Sequence, residues 1–125
     1  MTISLNEKEI SRLESERNIW LATIRKDNRP HLIPLWFIFH ENNIYMCTQE
    51  SVKVKNIRLN PMVSVAMEDA FKVLSFEGIA EIIQPPFSEK LVKRFLEKYD
   101  WNITKDDGYT IVIKVVLKHK IAFND

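Results

Sequence analysis

The first part of the chain shows the hydrophobic pattern of one helix followed by strands. Ile10 and Leu13 lie three residues apart, and Asn6 precedes this run, which predicts a short capped helix that ends near Arg17. The segments NIWLATIRK, HLIPLWFIFH and IYMCT follow, separated by the polar turns DNRP and ENN. Because β-branched and aromatic residues dominate these segments, they predict a three-stranded meander.

The second half of the chain alternates helix and strand patterns. A helix is predicted to start at Ser51 and to end before Pro61, because proline disfavours helical geometry in the residue before it. MVSVAME and VLSFEGIAEII predict two strands, and Gly78 in the second indicates a bulge or a close backbone approach. Residues 88–99 predict an amphipathic helix, and YTIVIKVVLKHKIAF predicts the last strand.

These elements predict a mainly β fold. Six strands joined mostly by short turns favour an antiparallel barrel or sandwich, because parallel sheets need repeated long crossovers. The segment HLIPLWFIFH is apolar at every position from Leu32 to Phe39, so both of its faces are expected to be shielded from water. One face would fill the barrel, and the other would need a second subunit, a planar ligand or both. Pro34 cannot donate a ladder hydrogen bond, so we expect it at an edge or a split of the sheet.

Composition limits the classes of function. A chain of 125 residues predicts one domain over 1–125. Eighteen basic and 17 acidic residues give a net charge of +1, which argues against nucleic acid or a membrane as a partner. The single Cys47 and three dispersed histidines argue against a metal site. No apolar run reaches the roughly 18 residues of a membrane span, and the first residues do not resemble a signal peptide, so we expect a cytoplasmic protein.

The segment around Ser51 predicts an anion site. The N–H groups of a helix's first turn carry about half a positive charge, so they stabilise a phosphate. Ser51 adds a hydroxyl donor and Lys53 adds a full charge. Since strands rich in Trp, Phe and Leu precede this site, the predicted ligand is a phosphate ester with a flat apolar ring, such as flavin mononucleotide (FMN). The alternative interpretation is that Ser51 only caps the helix and Lys53 is only a solvated charge.

Several short motifs, in their order and spacing, resemble the pyridoxamine 5'-phosphate oxidase-like, flavin-binding split-barrel family. The resemblance covers about residues 18–84 of this chain. The motifs are RPH at 29–31 leading into PLWF at 34–37, the S-x-K-x-x-N pattern at Ser51, Lys53 and Asn56, the NP pair at 60–61 and the EG pair at 77–78.

The resemblance implies a six-stranded antiparallel split β-barrel with a few short helices, which forms a homodimer with FMN at the subunit interface. The strand around Val73 to Glu77 would approach the site from the other chain. One of Trp36 and Phe37 must be a core residue, because neighbours on a strand point to opposite faces, and the sequence leaves open which one faces the ligand. The implied ring contacts are Pro34, Leu35, Trp36 and Phe37, and the implied phosphate contacts are Thr48, Ser51 and Lys53, with Asn56 as a further candidate.

The implied activity is that of a flavin-dependent oxidoreductase, with hydride transfer between FMN and an unidentified small substrate and with no catalytic residue assigned. Val52 stands where many members have a second basic residue, so the phosphate should be held less tightly unless Lys55 or Arg58 compensates. The ending KHKIAFND lacks the arginine and histidine segment of true pyridoxamine phosphate oxidases, so the resemblance does not extend to vitamin B6 activity.

Two alternatives remain open at the level of sequence. The first is a reductase that uses a deazaflavin coenzyme, whose long anionic tail needs further basic residues. The second is a carrier or sensor that holds flavin or haem without turnover. A haem protein needs an axial ligand, for which the chain offers His31, His40 and His119.

Overall fold

Seven strands pair into one curled antiparallel sheet in the computed structural model, which describes residues 3–124. The strand order is β2-β1-β5-β6-β7-β4-β3, which confirms a mainly β split barrel. The strands are β1 Asn18–Ile24, β2 Pro30–Trp36, β3 Ile38–His40, β4 Asn43–Thr48, β5 Met62–Ala66, β6 Val73–Ile83 and β7 Ile111–Phe123. The helices are α1 Glu7–Ser15, α2 Val52–Leu59 and α3 Glu89–Tyr99, and a 3-10 turn spans Ile103–Lys105.

The apolar segment HLIPLWFIFH forms two strands instead of one, so the sheet has one strand more than predicted. β2 ends at Trp36, β3 begins at Ile38, and Phe37 lies between them. The predicted meander is wrong, because β2 and β3 lie at opposite edges of the sheet. The chain passes from one edge to the other at Phe37, and this crossing is the split of the barrel.

A tyrosine hydroxyl explains why the strand breaks at Phe37. The Phe37 N–H donates to Tyr99 Oη at 2.9 Å, and the same hydroxyl lies 2.7 Å from the carbonyl oxygens of Phe37 and Arg17. The Phe37 N–H is therefore satisfied by a side chain, and the Phe37 carbonyl shares the single Tyr99 hydroxyl proton with the Arg17 carbonyl, so neither group of Phe37 needs a partner in a β-ladder. Burial raises the pKa of Tyr99 to about 12, so the hydroxyl keeps its proton near neutral pH.

Replacing Tyr99 with phenylalanine is expected to destabilise the fold at the split. The buried Phe37 N–H would lose its acceptor, which predicts a fall of about 1–2 kcal/mol in the free energy of unfolding. Urea unfolding measures this change. Tyr109→Phe is the matched control, because Tyr109 is partly exposed, and equal stability of the two variants would contradict the role given to Tyr99.

The inner face of the sheet holds the main core together with α1 and α2. Leu13 of α1 and Val54 of α2 pack with strand residues such as Leu21, Met46 and Phe76. A second cluster lies under α3, where Leu91, Phe95 and Tyr99 recur every four residues and so share one face of the helix.

The helices begin where the sequence predicts, but only two of the three have a side-chain cap at the first turn. Asn6 and Glu9 form a capping box at the start of α1, and Ser88 Oγ accepts the Leu91 N–H at 3.3 Å at the start of α3. Ser51 precedes α2 without making a side-chain cap. Among residues 3–124, no helix is long and apolar enough to cross a membrane.

Gly78 lies at a bulge between β6 and β7 and also at a close backbone approach, so both interpretations of this glycine are confirmed. The register shifts between Glu77 and Gly78. A Cβ at Gly78 would lie 2.5 Å from the Val116 carbonyl oxygen and 2.8 Å from Val115 Cγ1. The two strands therefore approach each other more closely here than any side chain would allow.

Lys98 lies against the other side of the split. Its ammonium is 3.9 Å from the centre of the Phe37 ring and donates to the Leu13 carbonyl oxygen at 3.3 Å. Burial, and then the nearby Arg17 charge, lower the pKa of Lys98 from 10.5 to about 8.

The lowered pKa of Lys98 predicts a pH dependence of stability. Between about pH 8 and 10.5 the unfolded chain binds more protons at Lys98 than the folded chain does, so folding stability should rise with pH in this window. Lys98→Met removes this contribution. Urea unfolding at about pH 7.5 and about pH 9.5 should therefore show wild type gaining stability relative to the variant, and a constant difference would contradict the prediction.

Candidate functional site

A groove of about 710 Å³ lies at the split, beside the end of β2. Its volume falls within the roughly 300–1,000 Å³ range of small-molecule sites. Its wall is built from several separate stretches between residues 18 and 109. The lining residues are Asn18, Ile33, Pro34, Leu35, Trp36, Cys47, Thr48, Gln49, Lys53, Tyr99, Asp100, Trp101, Asp106 and Tyr109.

The end of β2 supplies an apolar wall. Pro34, Leu35 and Trp36, three of the four ring contacts that the family resemblance implies, all line the groove. β2 is an edge strand that pairs only with β1 in the described part of the chain, so Pro34 lies at the sheet edge where its missing N–H costs no ladder bond.

Lys53 supplies a buried positive charge next to this wall. Only 7% of Lys53 is exposed, and Nζ donates to Ser51 Oγ at 3.0 Å. Ser51 Oγ in turn donates to the Gln49 carbonyl oxygen at 2.9 Å. No carboxylate of residues 3–124 forms a salt bridge with Lys53, and burial lowers the pKa of its ammonium. A buried ammonium without a charged partner is unfavourable, and an anion in the groove would neutralise it.

The start of α2 adds free backbone donors to the same region. The first N–H groups of a helix have no acceptor within the helix, and the Ser51 side chain does not cap them. Thr48 and Gln49, at the end of β4, line the groove just before this turn. The arrangement suits a phosphate, which the helix start attracts through its dipole.

The remaining predicted site residues lie outside the groove lining. Ser51 reaches the groove only through its bond to Lys53. Asn56 is buried and donates from Nδ2 to Thr23 Oγ1 at 3.0 Å, so it braces α2 against β1. Phe37 is fully buried in the core, whereas Trp36 is 44% exposed, so the structure puts Trp36 on the groove and Phe37 inside.

Sequence reasoning missed the wall opposite β2. Tyr99 stacks on Trp36 at a centroid distance of 4.5 Å, and Trp101 and Tyr109 extend this aromatic surface. These residues reach the groove because β4 pairs with β7, with Thr48 opposite Ile111. The aromatic residues that follow the amphipathic helix were the one available signal for this wall.

Cys47 lines the groove as a buried thiol that is only 3% exposed. Burial, and then the Asp106 charge, raise the pKa of its thiol to about 12, so it stays protonated. The thiol lies 3.6 Å from the Tyr109 carbonyl oxygen. Cys47 is therefore a small buried residue of β4.

The fold and the groove define a split-barrel protein with a groove at its split, lined by apolar and aromatic side chains and by the buried Lys53. The sequence matches the pyridoxamine 5'-phosphate oxidase family model over residues 6–121. The chain therefore belongs to this family. No curated protein matches the sequence.

Solved structures of similar fold include proteins with different names. An F420 reductase is 26% identical, with a TM-score of 0.75, and the match covers 94% of this chain and 98% of that one. A provisionally named pyridoxamine 5'-phosphate oxidase from Listeria innocua is 24% identical, with a TM-score of 0.74 and coverage of 95% and 98%. HutZ, a haem storage protein from Vibrio cholerae, is 20% identical, with a TM-score of 0.73 and coverage of 93% of each chain. The last two likenesses show the fold alone.

Proposed function

We propose that the protein is a homodimeric FMN-binding oxidoreductase that transfers a hydride between the flavin and a small organic substrate. The observation that carries this proposal is the buried Lys53 ammonium, which has no carboxylate partner among residues 3–124 and lies next to the uncapped start of α2. The apolar edge of β2 lies in the same groove. The groove thus offers a positively charged region for the FMN phosphate next to an apolar region for the flavin ring.

Each part of FMN has proposed contacts in the groove. Lys53, Thr48 and the first amides of α2 would hold the phosphate, and Ser51 would orient Lys53 through its 3.0 Å contact. Pro34, Leu35 and Trp36 would pack along the ring and keep water from one side of it. When bound, the flavin supplies the hydride chemistry, which no side chain of the groove offers by itself.

The family and one structural neighbour support a flavin-type cofactor. Pyridoxamine 5'-phosphate oxidase is the description of the family that matches nearly the whole chain, and a 26% identical neighbour is named F420 reductase. The visible spectrum of the purified protein tests the proposal. We expect flavin absorbance, and mass spectrometry of the molecule released on denaturation should find FMN. A colourless protein that takes up no added FMN would overturn it.

An exposed apolar face of the sheet supports the homodimer. Trp20 lies directly opposite Pro34 across β1 and β2, and Leu32 lies opposite Ala22 on the same face. We define the outer patch as Trp20, Leu32, Pro34, Trp36 and Met62. In the single chain, Leu32 is 59% exposed and Met62 is 60% exposed. A second copy seated on this patch would remove it from water and would border the groove, because Pro34 and Trp36 belong to both.

A charge in the outer patch is expected to separate the subunits. Leu32→Lys places an ammonium where the proposed partner would exclude water, so sedimentation velocity should show the variant as a monomer at concentrations where wild type is dimeric. Leu96→Lys, at a 44% exposed leucine on α3, is the matched control. Wild type that sediments as a monomer, or an unchanged Leu32→Lys dimer, would contradict the proposed interface.

A deazaflavin-dependent reductase is the second candidate, and the F420 reductase neighbour favours it. Its anionic tail would need basic residues beyond Lys53. Arg58 forms a salt bridge with Glu50, whereas the exposed Lys55 forms no salt bridge with any residue of 3–124. Competition between FMN and coenzyme F420 for the purified protein separates the candidates, because the tighter ligand identifies the cofactor.

A haem or flavin carrier is the non-enzymatic candidate, and the likeness to HutZ concerns its fold. None of His31, His40 and His119 lines the groove, so this cavity offers haem iron no histidine ligand. A Soret band in the purified protein would favour haem. Bound FMN that nicotinamide donors fail to reduce would favour a flavin carrier.

A further inference from the structure

We propose that Trp101 and Tyr109, together with Asp100 and Asp106, form a substrate subsite that selects a flat aromatic ring carrying a positive charge. We call these four residues the aromatic-acidic wall. All four line the groove and none belongs to the proposed FMN contacts. This inference rests on the proposed function, since it assigns the part of the groove that the flavin would leave for a substrate.

The aromatic residues of this wall present ring surface to the groove. The Trp101 ring lies 6.0 Å from Trp36 and 5.5 Å from Tyr109, at interplanar angles of 77° and 79°. These nearly perpendicular rings form an angled surface on which a further flat ring can stack or meet an edge. Tyr109 is 39% exposed and Trp101 is partly exposed, so part of this surface is open to a ligand.

Asp106 holds the two rings in place. Its Oδ2 accepts the Trp101 indole N–H at 3.0 Å, and its Oδ1 accepts the backbone N–H groups of Gly108 and Tyr109 at 3.0 and 3.1 Å. Phe95 supports Trp101 from the core, with ring centres 5.8 Å apart. The surface is therefore organised before a ligand arrives, which lowers the entropy lost on binding.

The charge of the wall is negative and has no salt-bridge partner. Across the described residues, neither Asp100 nor Asp106 forms a salt bridge with a basic side chain. The Asp106 charge acts inside the groove, because it raises the pKa of Cys47 together with the larger effect of burial. Carboxylates beside aromatic faces attract a cation through charge and through the ring quadrupoles together, and they repel an anion.

The test compares three ligands that share one pyridine ring. The probes are 1-methylnicotinamide, a cation, nicotinamide, which is neutral, and nicotinate, an anion. Each is titrated into the purified protein with and without saturating FMN, and the Trp101 indole N–H resonance reports binding. We expect the cation to bind roughly fivefold or more tightly than nicotinamide, and nicotinate to bind most weakly.

Variants identify the residues responsible. Asp100→Asn and Asp106→Asn should each reduce the ratio of cation to neutral affinity roughly threefold, and Trp101→Leu should weaken the cation roughly tenfold. Asp107→Asn is the matched control, since it removes the same charge from the adjacent residue, which does not line the groove. In the Trp101→Leu variant, ligand-observed NMR replaces the lost indole signal.

Defined outcomes overturn the inference. It fails if the three probes bind equally, if none binds, or if the preference survives in all three groove variants. FMN affinity measured in the same samples keeps the two proposals apart. Protein that binds FMN without preferring the cation refutes the wall alone, whereas protein that prefers the cation but binds no FMN refutes the oxidoreductase and leaves the wall as a binding site.

Discussion

Replacing Gly78 with alanine is expected to lower the free energy of unfolding by about 3 kcal/mol, near the upper end of the usual cost of overpacking. The added Cβ would stand 2.5 Å from the Val116 carbonyl oxygen, a backbone atom that cannot rotate away. β6 and β7 would have to separate at the centre of their pairing, where the bulge sets the register. Urea unfolding of the purified variant measures the loss.

Gly108→Ala is the matched control for this prediction. A Cβ at Gly108 would meet its nearest neighbouring atom, Asp106 Oδ1, at 3.5 Å, which is ordinary van der Waals contact. The same chemical change should therefore have little effect there. Similar losses of stability in the two variants would show that the close approach at Gly78 is not the cause.

Replacing Lys53 with glutamine is expected to weaken FMN binding roughly tenfold to a hundredfold, the usual worth of a hydrogen bond to a charged group. The amide keeps much of the length of the side chain but removes the charge that would face the phosphate. Titration followed by flavin fluorescence measures the affinity. Lys55→Gln is the control, because it removes the same charge from an exposed position on the same helix.

Although Lys53→Gln should weaken FMN binding, it should not lower the free energy of unfolding. Burial lowers the pKa of the Lys53 ammonium, so the charge opposes folding when no anion is bound. The unliganded variant should therefore be as stable as wild type or more stable. A variant that loses both affinity and stability would indicate a structural role for Lys53, and a variant that binds FMN as tightly as wild type would refute the phosphate site.

The predicted helices and most strands follow from local patterns, which is why the sequence was informative about them. Asn6, Ser51 and Ser88 precede the three helices where cap residues are expected. The break at Phe37 was not predictable in this way. It depends on a hydroxyl 62 residues further along the chain, and the unbroken apolar run around Phe37 contains no sign of it.

The groove likewise combines residues that a local pattern predicts with residues that only the tertiary fold brings together. Lys53 was predicted from one local segment, in which a strand is followed by a helix, and Thr48 was implied by the family resemblance. Trp101 and Tyr109 join them only because β7 pairs with β4, so their place depends on the topology of the sheet. Only the structure shows that Trp36 lies on the groove, because alternation along a strand places neighbouring residues on opposite faces without saying which face is which.

Trp36 belongs both to the outer patch and to the groove wall, so it would couple the proposed dimerisation to the proposed FMN binding. If a second copy covers this residue and FMN rests against both chains, each binding event favours the other, and linkage requires the two affinities to rise by the same factor. Dilution would then release pigment as well as subunits, and a cell short of riboflavin would hold more of this protein as separate chains.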